Sequence, residues 1–104
     1  MLKKSLKLNT SEFKEVFNFG SVSKSPYFMV KTKENTYTYP RFAVVVSKKI
    51  SKKAVERNYI RRRFFHAIED NVATFGSKDY IFILNSSVKD LQYKDIINLF
   101  ASHN

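Results

Sequence analysis

The stretch Arg41–Ile68, "RFAVVVSKKISKKAVERNYIRRRFFHAI", decides how the rest of the chain is read. Its first residues, Arg41 to Ser47, are rich in β-branched side chains, which suit the pleated, half-buried surface of a central strand. Its second half changes period. Ile60, Phe64, Ala67 and Ile68, continued by Asn71, Val72 and Phe75, recur at three- and four-residue steps. That spacing predicts one amphipathic helix from Ile50-Ser51 to Phe75 with a single core-facing stripe, closed by Gly76. Between Ser47 and Phe65 lie eight Lys or Arg against one acid, Glu56, a net +7 out of the +10 of the whole chain.

Working outward, Asn9-Thr10-Ser11-Glu12 reads as a helix start, with small polar residues to cap free N–H groups and an acid in the first turn. Phe13, Val16 and Phe17 follow at helical spacing and Gly20 stops the helix, which spans about 10 to 18. "PYFMVKTK", from Pro26 to Lys33, alternates as a strand does. Phe28 and Val30 take one side; Tyr27, Met29 and Lys31 take the other. This strand and Arg41–Ser47 are close enough in sequence to pair antiparallel. "DYIFIL", Asp79 to Leu84, is a buried-strand pattern, and Lys89 to Phe100 closes the chain as a last helix with Leu91, Ile96, Ile97, Leu99 and Phe100 on its apolar side. The order α, β, β, α, β, α predicts an α+β domain, a mixed sheet covered by helices, with the last strand parallel to an earlier one.

The 104 residues suit one domain, 1–104. With 43% hydrophobic residues and ten Phe, the chain can build a core without staples. Having no cysteine, it has neither disulfides nor a thiolate metal site. The basic N-terminus "MLKKSLKLNTSEF" is followed by no apolar h-region, and no stretch nears the roughly 20 apolar residues of a membrane helix, so a cytoplasmic protein is expected. A sequence pI of about 9.9 in so small a domain points to a polyanion, with nucleic acid favoured over an anionic membrane surface.

The long helix can be laid out at roughly 100° per residue. With Arg57 at zero, Arg61 falls near ~40°, Asn58 near ~100° and Arg62 near ~140°, while the apolar arc runs from ~280° round to ~20°. Asn58, Arg61 and Arg62 therefore lie on one flank beside the buried stripe, Arg57, whose angle falls at the stripe, is expected on the same flank, and Arg63, near ~240°, points away. The apolar residues dock the helix; the basic flank presents Arg forks that match phosphate geometry, with Asn58 as donor and acceptor. Lys48, Lys49, Lys52 and Lys53, with Ser51, surround the helix start, where free N–H groups attract anions.

These residues resemble the protein subunit of bacterial ribonuclease P. That family carries a strand ending in Val-Ser-Lys-Lys, then Ala-Val-x-Arg-Asn-x-x-Lys/Arg-Arg-x-x-Arg on a helix. Here the match is Val46-Ser47-Lys48-Lys49, then Ala54-Val55-Glu56-Arg57-Asn58-Tyr59-Ile60-Arg61-Arg62. "EFKEVFNFG" at Glu12–Gly20, "KDYIFI" at Lys78–Ile83 and a terminal helix extend the likeness over most of the chain. Three features depart from the pattern. Phe65 stands where the motif's last Arg falls, and either stacks on RNA or packs. Lys31 stands where the family often has an aromatic, and no basic tail follows the last helix.

The resemblance implies an α-β sandwich with a single mixed sheet of about four strands and three helices, of αβββαβα type. It also implies a left-handed crossover and a likeness to the second domain of ribosomal protein S5. It implies binding of a catalytic RNA through Lys48, Lys49, Lys52, Lys53, Arg57, Asn58, Arg61 and Arg62. A cleft between the first helix and the sheet would hold the 5′ leader of precursor tRNA, formed here by Phe13, Phe17, Tyr27, Met29 and Lys31. Aromatics beside a cation suit single-stranded RNA, whose bases stack and whose phosphates pair; Phe13 and Phe17 read equally as plain core. The RNA subunit, with Mg2+ held mainly by RNA, would cut the phosphodiester to leave the mature tRNA 5′ end, so the protein serves an endoribonuclease without catalytic or metal-binding residues of its own. A monomer, one per RNA, is expected.

The residues themselves offer no active site. His66 and His103 are the only histidines, and Glu69-Asp70 are adjacent, so they point ~100° apart and form no two-metal cluster. A structural RNA-binding protein, such as a ribosomal protein, shares the charge and size. A DNA-binding domain would need a turn-plus-recognition-helix pattern that does not precede the basic helix.

Overall fold

The computed structural model describes residues 6–102; the expectation for His103 falls outside them, as do those for the side chains of Leu99 and Phe100. The elements are α1 (Thr10–Phe19), β1 (Ser21–Lys24), β2 (Phe28–Glu34), β3 (Arg41–Val45), α2 (Ala54–Asp70), β4 (Lys78–Leu84) and α3 (Tyr93–Ser102). Short 3-10 turns at Val72–Thr74 and Ser86–Asp90 follow α2 and β4. The four strands form one sheet in the order β1-β2-β4-β3. β1–β2 and β2–β4 are antiparallel, and β3–β4 is parallel. An α+β domain with three helices and a mixed four-stranded sheet is the architecture expected, and the last strand does lie parallel to an earlier one.

Two strand expectations need correction. β2 and β3 do not pair; β4 lies between them, with Val30↔Phe82 on one side and Val44↔Phe82 on the other. The reason is burial: Asp79, Tyr80, Ile81 and Phe82 are buried in succession, so β4 needs cover on both faces and a partner on both edges. A further strand, β1, was not legible in the residue pattern. All four of its residues are exposed and backbone pairing to β2 holds it, so no alternation marks it.

α2 is shorter than the predicted Ile50–Phe75. At its start the Ser51 hydroxyl accepts from the Lys53 N–H (3.2 Å) and Arg57 donates to the Ser51 carbonyl (3.0 Å), which holds Ser51–Lys53 in a turn outside the helix. At its end the Asn71 side chain donates to the Ala67 carbonyl (2.9 Å) and competes with the helical ladder. Phe75 is buried nonetheless, as the periodicity implied, and Ile50 is buried as well.

The main core lies between the sheet and the α2–α3 layer. Phe64 of α2 meets Phe28 and Phe82 at centroid distances of 5.7 and 5.3 Å, and Phe75 meets Phe42 at 5.0 Å. Each large apolar side chain buried here contributes roughly 1.5–3 kcal/mol. α1 covers the opposite face. Its Asn9–Glu12 capping box satisfies orphan N–H groups at the helix start, and Val16 is buried there, on the face that Ile81 also lines.

An ion network ties α1 to the sheet. Arg41 is 8% exposed and Asp79 5%. They are joined through Nε (2.9 Å) and Nη2 (2.8 Å), Glu12 pairs with Nη1 of the same guanidinium, and Asn35 donates to Asp79 (2.9 Å). Burial disfavours the charge on Arg41, but hydrogen bonds and Coulomb attraction from Asp79 and Glu12 outweigh it and hold its pKa above the ordinary arginine value.

Candidate nucleic-acid interface

The basic flank of α2 begins in the loop that leaves β3. Ser47–Ile50 closes a turn through Ile50 N–H to Ser47 O (3.1 Å), which leaves Lys48 and Lys49 exposed. Lys52 and Lys53 are exposed at the helix start, where Lys53 is the N-cap and no side chain caps the helix. On the helix, Asn58 and Arg62 are exposed, and Arg61 donates to Asn58 Oδ1 at 2.7 Å. Arg57 differs from its expected place on an open flank: it is half-buried and its guanidinium pins the Ser51 carbonyl. Arg63 points away as expected, donating to the Leu91 carbonyl (2.8 Å) on the α3 side. Glu56, the one acid of the stretch, pairs with Lys89 (3.2 Å) and so does not neutralise the flank. The exposed side of α2 also carries Val55 and Tyr59, apolar surface that the charge pattern did not foreshadow.

Beside this flank the N-terminal segment comes in through a bridge between Lys7 and Phe42 and a hydrogen bond from Leu8 N–H to Phe42 O (3.0 Å). It closes a hollow of about 600 Å³ lined by Lys7, Asn58, Arg61, Arg62, Phe65 and His66. Lys7 was absent from the expected set. No local signal brings it there, because its place depends on a bridge to a residue 35 positions later.

The second candidate surface lies on the α1 face of the sheet. Phe13 and Phe17 stack at 5.8 Å with 19° between their planes. Phe17 is 42% exposed. The Lys31 ammonium lies 3.8 Å from its ring centroid and donates to its backbone carbonyl at 2.8 Å. Lys33 pairs with Glu15. Beyond α1, the register sets Met29, Ile83 and Val45 side by side on this face, all half-buried. They form a partly open apolar floor, with Lys24 paired to Met29 at its rim. Ile83 and Val45 were not anticipated; strand alternation contains the signal, but only the pairing puts them beside Met29. Tyr27 was expected on this face. It precedes β2 and packs against the core beneath α2 instead, because the Ser25 hydroxyl and Asn85 hold the chain in a turn there.

His66 lies 3.6 Å from Asp70 on the exposed side of α2, an i, i+4 pair. Among the described residues no three His, Cys, Asp or Glu side chains gather to hold a metal ion, and no helix is long and apolar enough to cross a membrane. The geometry thus presents two candidate surfaces, one cationic and one aromatic-lined, on the two sides of one sandwich.

A family model described as Ribonuclease P matches residues 2–103. The ribonuclease P protein component of Mycoplasma capricolum is 32% identical over 90 residues, covering 85% of this chain and 82% of that protein. That of Vibrio campbellii is 31% identical over 96 residues, covering 91% and 81%. The solved RNase P protein of Staphylococcus aureus superposes with a TM-score of 0.79 at 27% identity, covering 91% of this chain and 88% of that one. The Thermotoga maritima RNase P protein, at 22% identity, shares the fold with a TM-score of 0.80.

Proposed function

The chain belongs to the ribonuclease P protein family, and from that premise we propose that it binds the catalytic RNA through the α2 flank and the 5′ leader of precursor tRNA in the α1 groove. The observation that carries the reading is the sidedness of α2. Ile60, Phe64, Ala67 and Ile68 are buried, while Asn58, Arg62 and the lysines of the preceding loop are exposed on a fixed support. Cations so crowded repel one another, and a polyphosphate partner relieves that repulsion by exchanging its condensed counterions for them. The groove supplies a stacked aromatic pair and a cation, which together take a single strand without reading its sequence.

In this reading the protein contributes positioning and charge. Lys48, Lys49, Lys52, Lys53 and Arg62 neutralise phosphates where RNA subunit and substrate approach, which lowers the magnesium needed. Phe17 and Lys31 retain the leader. Mg2+ is held mainly by RNA phosphates and the RNA subunit cuts the phosphodiester. No step is assigned to a protein side chain. One monomer acts per RNA.

The test is cleavage of precursor tRNA by the organism's own ribonuclease P RNA at low magnesium, with and without the protein. A large protein-dependent gain, reduced for substrates that lack a leader, is expected. No gain, alongside tight binding to an unrelated RNA, would leave a structural RNA-binding domain.

A further inference from the structure

Building on the proposed RNA binding, we infer that the hollow beside α2 is a stacking site for one unpaired nucleobase, with the Phe65 ring as its platform.

The hollow measures about 600 Å³, within the range of sites that enclose a nucleotide-sized ligand. Lys7, Arg61 and Arg62 bring three positive charges to its wall, and among the described residues no carboxylate lines it. Among the described residues Phe65 is the only aromatic hydrocarbon ring in the lining. It is half-buried: part of it packs against the main core and the rest borders the hollow. Placing this ring among cations leaves apolar surface in water at the spot where phosphates are most attracted. Phosphates alone would neutralise the wall and leave the ring wet. An apolar peptide would cover the ring and leave the charges unpaired. A nucleotide does both, its base lying on the ring and its phosphates reaching the guanidinium groups.

The same geometry excludes a paired base, whose faces are already covered by its neighbours in the helix; the ligand is a base from a loop, bulge or end. Arg61 holds Asn58 Oδ1 at 2.7 Å, which turns the amide nitrogen of Asn58 into the donor presented to the base edge. The Lys7 ammonium, 5.5 Å from the Phe65 centroid, sits on a flexible stem and moves from ring to phosphate as the base enters.

The test is equilibrium binding of the full chain to the organism's ribonuclease P RNA over a salt series. Phe65→Leu keeps apolar volume for the core but removes the platform. Its affinity should fall about 10- to 100-fold with the slope of log affinity against log salt unchanged. Phe65→Trp should restore the affinity. Arg62→Ala, by contrast, should make the slope shallower by about one. Wild-type affinity for Phe65→Leu, with thermal melting showing it folded, would overturn the inference while leaving the RNA-binding reading intact. A wild-type chain that fails to bind this RNA would overturn both. Should Phe65→Leu not fold, ultraviolet crosslinking of the wild-type complex decides: a nucleotide adduct on Phe65 supports the site, and adducts confined to other residues refute it.

Discussion

Lys31 grips Phe17 twice, donating to its backbone carbonyl at 2.8 Å and holding its ammonium 3.8 Å from the ring centroid. The two contacts fix the end of α1 to β2 and set a cation on an aromatic face at the mouth of the groove. Residue type alone favours a core role for Phe17, and the family resemblance brings the groove reading level with it. Its 42% exposure favours the groove wall. Phe17→Ala should therefore cost only roughly 1–2 kcal/mol of stability, less than a core Phe. It should weaken binding of leader-bearing precursor tRNA about tenfold while sparing leaderless tRNA. Titration of the assembled holoenzyme with the two substrates separates the effects.

Arg57 and Arg62 should behave differently although one motif contains both. Arg62 is exposed, so Arg62→Ala should leave the melting temperature unchanged and weaken RNA binding. Arg57 pins Ser51, so Arg57→Ala should also cost roughly 1–2 kcal/mol, because the loop carrying Lys52 and Lys53 loses its tie. Thermal melts beside RNA titrations would show whether the two losses part company.

Arg41 should be the most sensitive charged position in the fold. Removing it leaves Asp79 buried with Asn35 as its remaining side-chain partner and releases Glu12 from the sheet. Arg41→Ala should lose about 3–5 kcal/mol. Urea unfolding would measure it; a loss below about 1 kcal/mol would show that the network contributes little.

Gly20 closes α1 and leads directly into β1 without any unusual backbone, at φ −73° and ψ 156°. Its requirement is space: a Cβ would meet the Val16 carbonyl oxygen at 2.5 Å and that of Thr32 at 2.8 Å. Gly20→Ala should push α1 from β2, costing roughly 1–3 kcal/mol and loosening leader binding. Unfolding combined with leader titration checks both effects.

Tyr80 gives the fold an alkaline limit. Burial pushes its hydroxyl above the ordinary tyrosine value of 10.0, against a smaller opposing effect of the hydrogen bonding at Gly76. The folded state thus favours the neutral phenol more than the unfolded state does. Stability is fully present below pH 10 and falls as pH rises from there through the higher folded pKa. Tyr80→Phe should lose about 1 kcal/mol at neutral pH, with its hydrogen bond to Gly76 N–H, and should flatten the alkaline decline. Melting curves of both proteins between pH 8 and 11 would show it.

By itself the sequence determined what local spacing and composition carry. The switch from a β-branched run to a 3.6-residue stripe marked β3 and α2; Asn9 with Glu12 marked the start of α1; the apolar run in "DYIFIL" marked a buried strand. The positions of Arg61, Arg62 and Arg63 relative to the Ile60–Ile68 stripe followed from helical geometry, so the flank and the outlying Arg63 were legible, whereas Arg57 turned out half-buried against the Ser51 carbonyl. Tertiary structure alone decided which strands pair. β4 displaced the pairing of β2 with β3 because a strand buried on both faces gains most at the centre of a sheet. That choice set Ile83 and Val45 beside Met29 as the groove floor. It also fixed β3 as the edge strand that receives the N-terminal segment, and so brought Lys7 to Phe65. Contacts between residues far apart in the chain depend on the summed burial of whole elements, and no local window of sequence contains that sum.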